Sequence, residues 1–172
     1  NVNAISFLTD KKYFGGNLKE LRKIHNRTRK PILRKEFIID EYQIYQSRYF
    51  GADAILLIAR ILSQNQMRSY IEIAKKYNMA CLVEVHNQKE IAKLPDNVEI
   101  IGINNRNLTN MEIDLENTIQ LSRKVQDKAE VIVTESGILN SDDVKKVSSY
   151  ADAMLIGSAI MASNNPGLKI DA

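Results

Sequence analysis

The sequence has no tryptophan, one cysteine, three prolines and no apolar run longer than a strand. Each scarcity excludes something. Cys81 has no second thiol to pair with, so an internal disulfide is ruled out, and its flanks Ala80, Leu82 and Val83 mark it as a small buried hydrophobe rather than a nucleophile. Two well-separated histidines and that one cysteine do not make a zinc-ligand set. The longest apolar stretches, such as residues 54–59, fall far short of the roughly 20 residues that cross a bilayer. The opening Asn1-Val-Asn-Ala-Ile lacks the charged and apolar regions of a secretion signal, so a cytoplasmic location with no membrane partner is expected. Charge of one sign is missing too. The 24 Lys and Arg stand against 21 Asp and Glu, a formal net charge of +3 with the signs interspersed, which gives nucleic acid no basic patch to meet. No low-complexity linker interrupts the 172 residues, and one domain over 1–172 is expected.

What the sequence does have is rhythm. Seven short apolar, β-branched runs, at residues 4–8, 32–37, 54–59, 81–85, 100–103, 131–133 and 153–156, read as strands. Amphipathic stretches lie between most of them, for example 64–77 with Met67, Ile71 and Ala74 on one face, and 115–125 with Ile119 and Leu121. Apolar strands joined by helical crossovers are what a parallel sheet covered by helices requires, so the class is α/β. Strand starts 28, 22, 27, 19, 31 and 22 residues apart suit either an open doubly wound sheet or a (β/α)8 TIM barrel. No strand is followed by G-x-G-x-x-G or a Walker loop, and ionisable residues stand instead at the carboxyl ends of several strands. That placement favours the barrel, whose sites are assembled there.

Alternation along the second strand puts Leu33, Lys35 and Phe37 on one face, giving Lys35 an apolar floor and an ammonium able to donate a proton to a substrate oxygen. A snorkelling or ion-paired lysine would fit the same pattern. In the fourth strand Leu82, Glu84 and His86 project together, and a carboxylate inside an apolar run needs a compensating cation such as Lys35. His86 reads as a flanking, structural residue. The fifth strand ends by projecting Asn104 and Arg106 to one side, an amide and a guanidinium suited to orienting a carboxylate or hydroxyl-rich substrate, with Asn105 to the other. The last two strands run directly into Ser136-Gly137 and Gly157-Ser158, small residues that let backbone N–H groups approach a phosphate.

Several blocks together resemble the indole-3-glycerol phosphate synthase family of tryptophan biosynthesis: Ala4-Ile-Ser-Phe-Leu-Thr9, Tyr13-Phe-Gly-Gly16, Leu33-Arg-Lys-Glu-Phe-Ile-Ile-Asp40 with Tyr42-Gln-Ile-Tyr45, Gly51-Ala-Asp-Ala-Ile-Leu-Leu-Ile58, Leu82-Val-Glu-Val-His86, Ile101-Gly-Ile-Asn-Asn-Arg-Asn-Leu108, Glu135-Ser-Gly137 and Ile156-Gly-Ser158. The resemblance implies a (β/α)8 barrel and a cofactor-free carboxy-lyase that closes the indole ring of a carboxyphenylamino deoxyribulose phosphate, losing carbon dioxide and water. It implies Lys35 as general acid, Glu84 in acid/base work, and Asn104 as a further catalytic-site residue. Arg106, Glu135 and Ser136 would contact substrate, Phe14 and Phe37 its aromatic ring, and Gly137, Gly157 and Ser158 its phosphate. The family's helical extension and first strand, with Glu-x-Lys and Ser-Pro-Ser, find no counterpart here, so the runs correspond to strands two to eight. A barrel open at two strand edges would be prone to self-association. The alternative expectation is a catalytically impaired barrel fragment that retains only phosphate binding.

Overall fold

The computed structural model describes residues 2–171, which fall into two compact units, 2–83 with 93–98 and 84–92 with 99–171. The first unit alternates strand and helix: β1 (Ile5–Leu8), α1 (Leu18–His25), β2 (Ile32–Lys35), α2 (Glu41–Tyr49), β3 (Ala54–Ile58), α3 (Gln64–Lys76) and β4 (Ala80–Val85). The last two residues of β4 belong to the second unit. Strand order within the first unit is β1-β2-β3-β4, with β1 parallel to β2 from Ile5↔Ile32 and β2 parallel to β3 from Leu33↔Ala54. The helices start where the side chains cap them. Asp40 and Gln43 form a reciprocal capping box on α2, as Ser63 and Gln66 do on α3. Helix α3 then buries Met67, Tyr70, Ile71 and Ala74, the stripe that its periodicity predicts with Tyr70 added.

Arg34 decides how β1, β2 and α2 fit. Its side chain is buried, and the guanidinium group reaches Thr9 Oγ1 (3.0 Å), Gln43 O (3.0 Å), Ser47 Oγ (3.0 Å), Gln46 Oε1 (3.1 Å) and Glu36 Oε2 (3.4 Å). Thr9 in turn donates to Glu36 Oε2 at 2.7 Å. A cation taken from water is tolerable only when satisfied in this way. Arg34→Leu is therefore expected to destabilise the fold by about 3–5 kcal/mol, because it strands Glu36 in a largely buried site. Urea unfolding would show it as a lower midpoint at constant slope, and an unchanged midpoint would refute it.

The second unit carries α4 (Gln88–Ala92), β5 (Ile100–Asn104), α5 (Glu116–Val125), β6 (Val131–Glu135), α6 (Ser141–Val147), β7 (Ala153–Leu155), α7 (Ser158–Met161) and α8 (Pro166–Asp171). Its strand order is β5-β6-β7, all parallel, with Ile100↔Val131 and Val133↔Ala153 setting the registers. Leu115, Ile138 and Val147 form a buried cluster flanked by Val144, Met154 and Ile156. One device recurs in both units. Asp53 Oδ2 accepts from Ile32 N while Asp53 N donates to Ile32 O, and Asp152 repeats both bonds with Ile132. Each aspartate thus pins the amino end of one strand to the start of the next.

All seven expected strands are present, with ends that shift by one or two residues; the sixth runs on to Glu135. The second strand stops at Lys35 rather than Phe37. Glu36 turns its carboxylate onto the backbone N–H of Phe37 (3.0 Å) and onto Arg34, and this draws the chain out of the ladder.

Candidate functional site

In the first unit, the carboxyl ends of β1 and β2 gather Lys35 and an aromatic platform. Lys35 is the last residue of β2, half-buried, and its carbonyl accepts from Thr9 N at 3.1 Å. Asp10 folds the following loop back by accepting from Tyr13 N (2.6 Å) and Phe14 N (3.2 Å) through Oδ1, while its carbonyl accepts from Gly16 N. A Cβ at Gly16 would lie 2.5 Å from Leu8 O, so only glycine lets the loop close against the end of β1. The result stacks Phe14 on Phe37, with ring centroids 6.3 Å apart and planes at 23°. Tyr13 meets Phe37 edge-on at 5.8 Å, and the Lys12 ammonium stands 5.0 Å from the Tyr13 centroid. Phe14 remains 58% exposed, which leaves aromatic surface open to a planar ligand, and its stacking partner Phe37 follows Lys35 by two residues. Phe14 and Phe37, both named in the sequence reading, thus touch each other, and Tyr13, which is not singled out there, joins them.

In the second unit, Glu84 is buried at 3% exposure, and His86 follows it on the same side of β4. The imidazole stands between two carboxylates. Nε2 lies 3.2 Å from Glu84 Oε1, and Nδ1 lies 3.1 Å from Glu90 Oε2. Burial alone would push the His86 pKa down, but the carboxylates of Glu84 and Glu90 outweigh it and raise the value to about 9. Glu90 moves the opposite way: burial raises its pKa, and the hydrogen bonds and charge from His86, with Asn87 added, bring it below the ordinary value.

A buried imidazolium ties stability to pH. An unfolded histidine titrates near 6.5, so the stabilisation from a folded value of about 9 is complete below pH 6.5 and disappears as the pH rises through 9; it amounts to roughly 3 kcal/mol. The Glu90 contribution has the reverse sense, being present above the usual carboxylate range and lost on acidification. The melting-temperature gap between the protein and His86→Gln should therefore be widest near pH 6 and shrink towards pH 10. A gap independent of pH would contradict the charged ring.

The end of β5 divides its two asparagines. Asn104 Oδ1 accepts from Arg106 N at 2.9 Å, and Asn117 Nδ2 ties Asn104 O (2.8 Å) to His86 O (3.3 Å). Arg106 is half-buried, and its backbone pairs with Ile113 in an isolated bridge. Asn105 points the other way, as alternation predicts, into a buried polar network: it donates to Thr134 Oγ1 and Ser136 O (both 3.0 Å) and accepts from Thr118 N and Oγ1. That network holds the loop after β6. Glu135 is 1% exposed, Ser136 takes φ +65°, and Gly137 follows at φ +93°. A Cβ on Gly137 would meet Ile113 Cγ2 at 2.6 Å. The left-handed pair turns the backbone sharply at a strand end. Gly157 and Ser158, which follow Ile156 after the end of β7, are exposed, and the space around Gly157 is open.

The structure thus brings Phe14 and Phe37 together in one unit, just after the strand that Lys35 ends. In the other it brings together Glu84 with His86, and Asn104 with Arg106, and joins Ser136 to Asn105. A cavity of about 370 Å³ lies elsewhere, at the amino end of β6, between Ser122, Gln126, Ile132 and residues 148–152. It stands at the opposite strand end from Asn104 and Glu135 of the same unit. Glu90 and Asn117 are the participants that sequence reasoning overlooks, because their partners lie across a turn and on another strand.

A family model for indole-3-glycerol phosphate synthase matches residues 1–172. The indole-3-glycerol phosphate synthase of Petrotoga mobilis is 42% identical over 175 residues, covering 98% of this chain and 69% of that protein. That of Acetivibrio thermocellus is 44% identical over 172 residues, covering 99% and 66%. The chain spans about two thirds of the length of these relatives. Among solved structures, 3-hexulose-6-phosphate synthase from Salmonella typhimurium superimposes with a TM-score of 0.81 at 17% identity, over 98% of this chain and 84% of that one. The alpha subunit of tryptophan synthase from Legionella pneumophila gives 0.61 at 12% identity, over 84% and 57%. At such identities these two likenesses speak for the fold alone.

Proposed function

Because this chain belongs to the indole-3-glycerol phosphate synthase family, lyases of tryptophan biosynthesis, we propose that it converts 1-(2-carboxyphenylamino)-1-deoxyribulose 5-phosphate to indole-3-glycerol phosphate, carbon dioxide and water. In this reading Lys35 donates a proton to the substrate carbonyl oxygen as the aromatic carbon attacks the carbonyl carbon. Loss of the ring carboxyl group as carbon dioxide supplies the electron pair that restores the aromatic sextet. Glu84 moves the proton in the dehydration that follows, in which the former carbonyl oxygen leaves as water. Phe14 and Phe37 hold the aromatic ring, Asn104, Arg106, Glu135 and Ser136 orient the polar groups, and Gly137, Gly157 and Ser158 receive the phosphate. The same reading assigns β1 to β7 as strands two to eight of a (β/α)8 barrel and places the protein in the cytoplasm. Among the described residues no helix is long and apolar enough to cross a membrane.

The observation that carries this reading is Glu84, a carboxylate buried at a strand's carboxyl end against a charged imidazole. Buried, perturbed ionisable groups of this kind are where acid/base chemistry concentrates. The test is turnover of the carboxyphenylamino substrate by the purified protein, followed as indole fluorescence against the low background of a chain without tryptophan. Clear product formation is expected. Folded protein that binds inorganic phosphate but makes no product would replace this reading with that of a phosphate-binding scaffold.

A further inference from the structure

We infer that His86 is a positioning residue for Glu84: anchored from behind by Glu90, it fixes the Glu84 carboxylate in place and balances its charge. The inference rests on the proposed acid/base role of Glu84. Its basis is an ordered chain of contacts running from α4 into β4. Glu90 Oε2 accepts from both His86 Nδ1 (3.1 Å) and His86 N (2.8 Å), so one oxygen fixes the ring and its own backbone together. The other oxygen of Glu90 accepts from Asn87 Nδ2 at 2.9 Å, and Asn87 Oδ1 accepts from Glu90 N at 3.1 Å. Glu90 is thereby committed to holding the ring.

The far side of the ring is different. Nε2 is buried and 3.2 Å from Glu84 Oε1, yet it makes no aligned hydrogen bond. The contact is a buried ion pair, and it holds the carboxylate against the charged ring. Charge explains why a ring is needed at all. Two buried carboxylates on neighbouring elements disfavour each other's ionisation, and a cation between them offsets that repulsion. Glu84 of β4 and Glu90 of α4 are the charged groups that act on the imidazole. From α5 the neutral Asn117 reaches the His86 carbonyl, while Lys124 of the same helix reaches Gln88. A ring that merely joined β4 to α4 would need the Glu90 contact alone. The second contact, onto the proposed acid/base, is what gives His86 a part in turnover.

The test pairs a spectrum with kinetics. In the purified protein, with ¹⁵N-labelled histidine, both His86 ring nitrogens should be protonated at pH 8. Glu90→Gln should return His86 to the neutral form at that pH and lower kcat at least tenfold, with KM changed less than about threefold. Glu90→Asp, which keeps the charge, should recover part of kcat, and His86→Gln should match Glu90→Gln. A neutral His86 at pH 8 in the unaltered protein would overturn the inference. So would folded Glu90→Gln and His86→Gln proteins with unchanged kcat, when Glu84→Gln is impaired. Normal turnover by Glu84→Gln would overturn the role of Glu84 itself and this inference with it, and the histidine spectrum would then still report whether the charged ring exists.

Discussion

Replacing Lys35 by Met is expected to abolish ring closure, with kcat falling by on the order of 10³-fold while the fold persists. General-acid donation contributes about 10²–10⁴ to a rate, and methionine keeps the apolar stem but has no proton to give. Lys35 ends β2, where its backbone carbonyl is already bonded to Thr9 N, so the substitution leaves the strand ladder intact. The Phe14–Phe37 stack two residues away is also untouched and should go on holding the aromatic ring, which confines the loss to kcat rather than KM. Product fluorescence under saturating substrate measures the first, and its concentration dependence the second. Turnover within threefold of the parent would remove Lys35 from the proton-donating role, and a collapsed melting curve would show that its role is structural.

Periodicity made the framework legible. Continuous apolar strands and the Met67, Ile71, Ala74 stripe follow directly from burial, which depends on residue type and spacing alone. Alternation also separated Asn104 from Asn105 correctly, because β5 runs regularly up to Asn104. It failed just where side chains compete with the ladder. Glu36 bonds its neighbour's N–H and ends β2 early, a local event that hydrophobic patterning does not register. The left-handed Ser136 was equally hidden. Gly137 signals a turn, but the serine before it adopts φ +65° in a loop that the Asn105–Thr118–Thr134 network secures from another strand and a helix. Glu90 reads in sequence as an ordinary acidic residue in the first turn of a short helix. Only the structure shows it spent on His86. His86 itself, read from sequence as a structural flank, carries the ion pair next to Glu84.

Glu84→Gln should lower kcat by about 10²–10³-fold with little change in KM, since the amide matches the carboxylate in size but cannot accept and return a proton at neutral pH. Geometry gives this variant a second signature. Glu84 supplies one of the two negative charges that hold His86 protonated, so removing it leaves Glu90 alone to oppose burial, and the His86 pKa must fall from about 9. A loss of rate accompanied by that fall would show the carboxylate acting as an anion in contact with the ring. A loss of rate with an unmoved His86 would separate the two groups and leave Glu84 working through other partners. A rate within a few-fold of the parent would take acid/base chemistry away from β4. The expected result is the first, because the buried imidazole stands within 3.2 Å of both carboxylates: whichever of them is neutralised, the ring between them gives up its proton more readily.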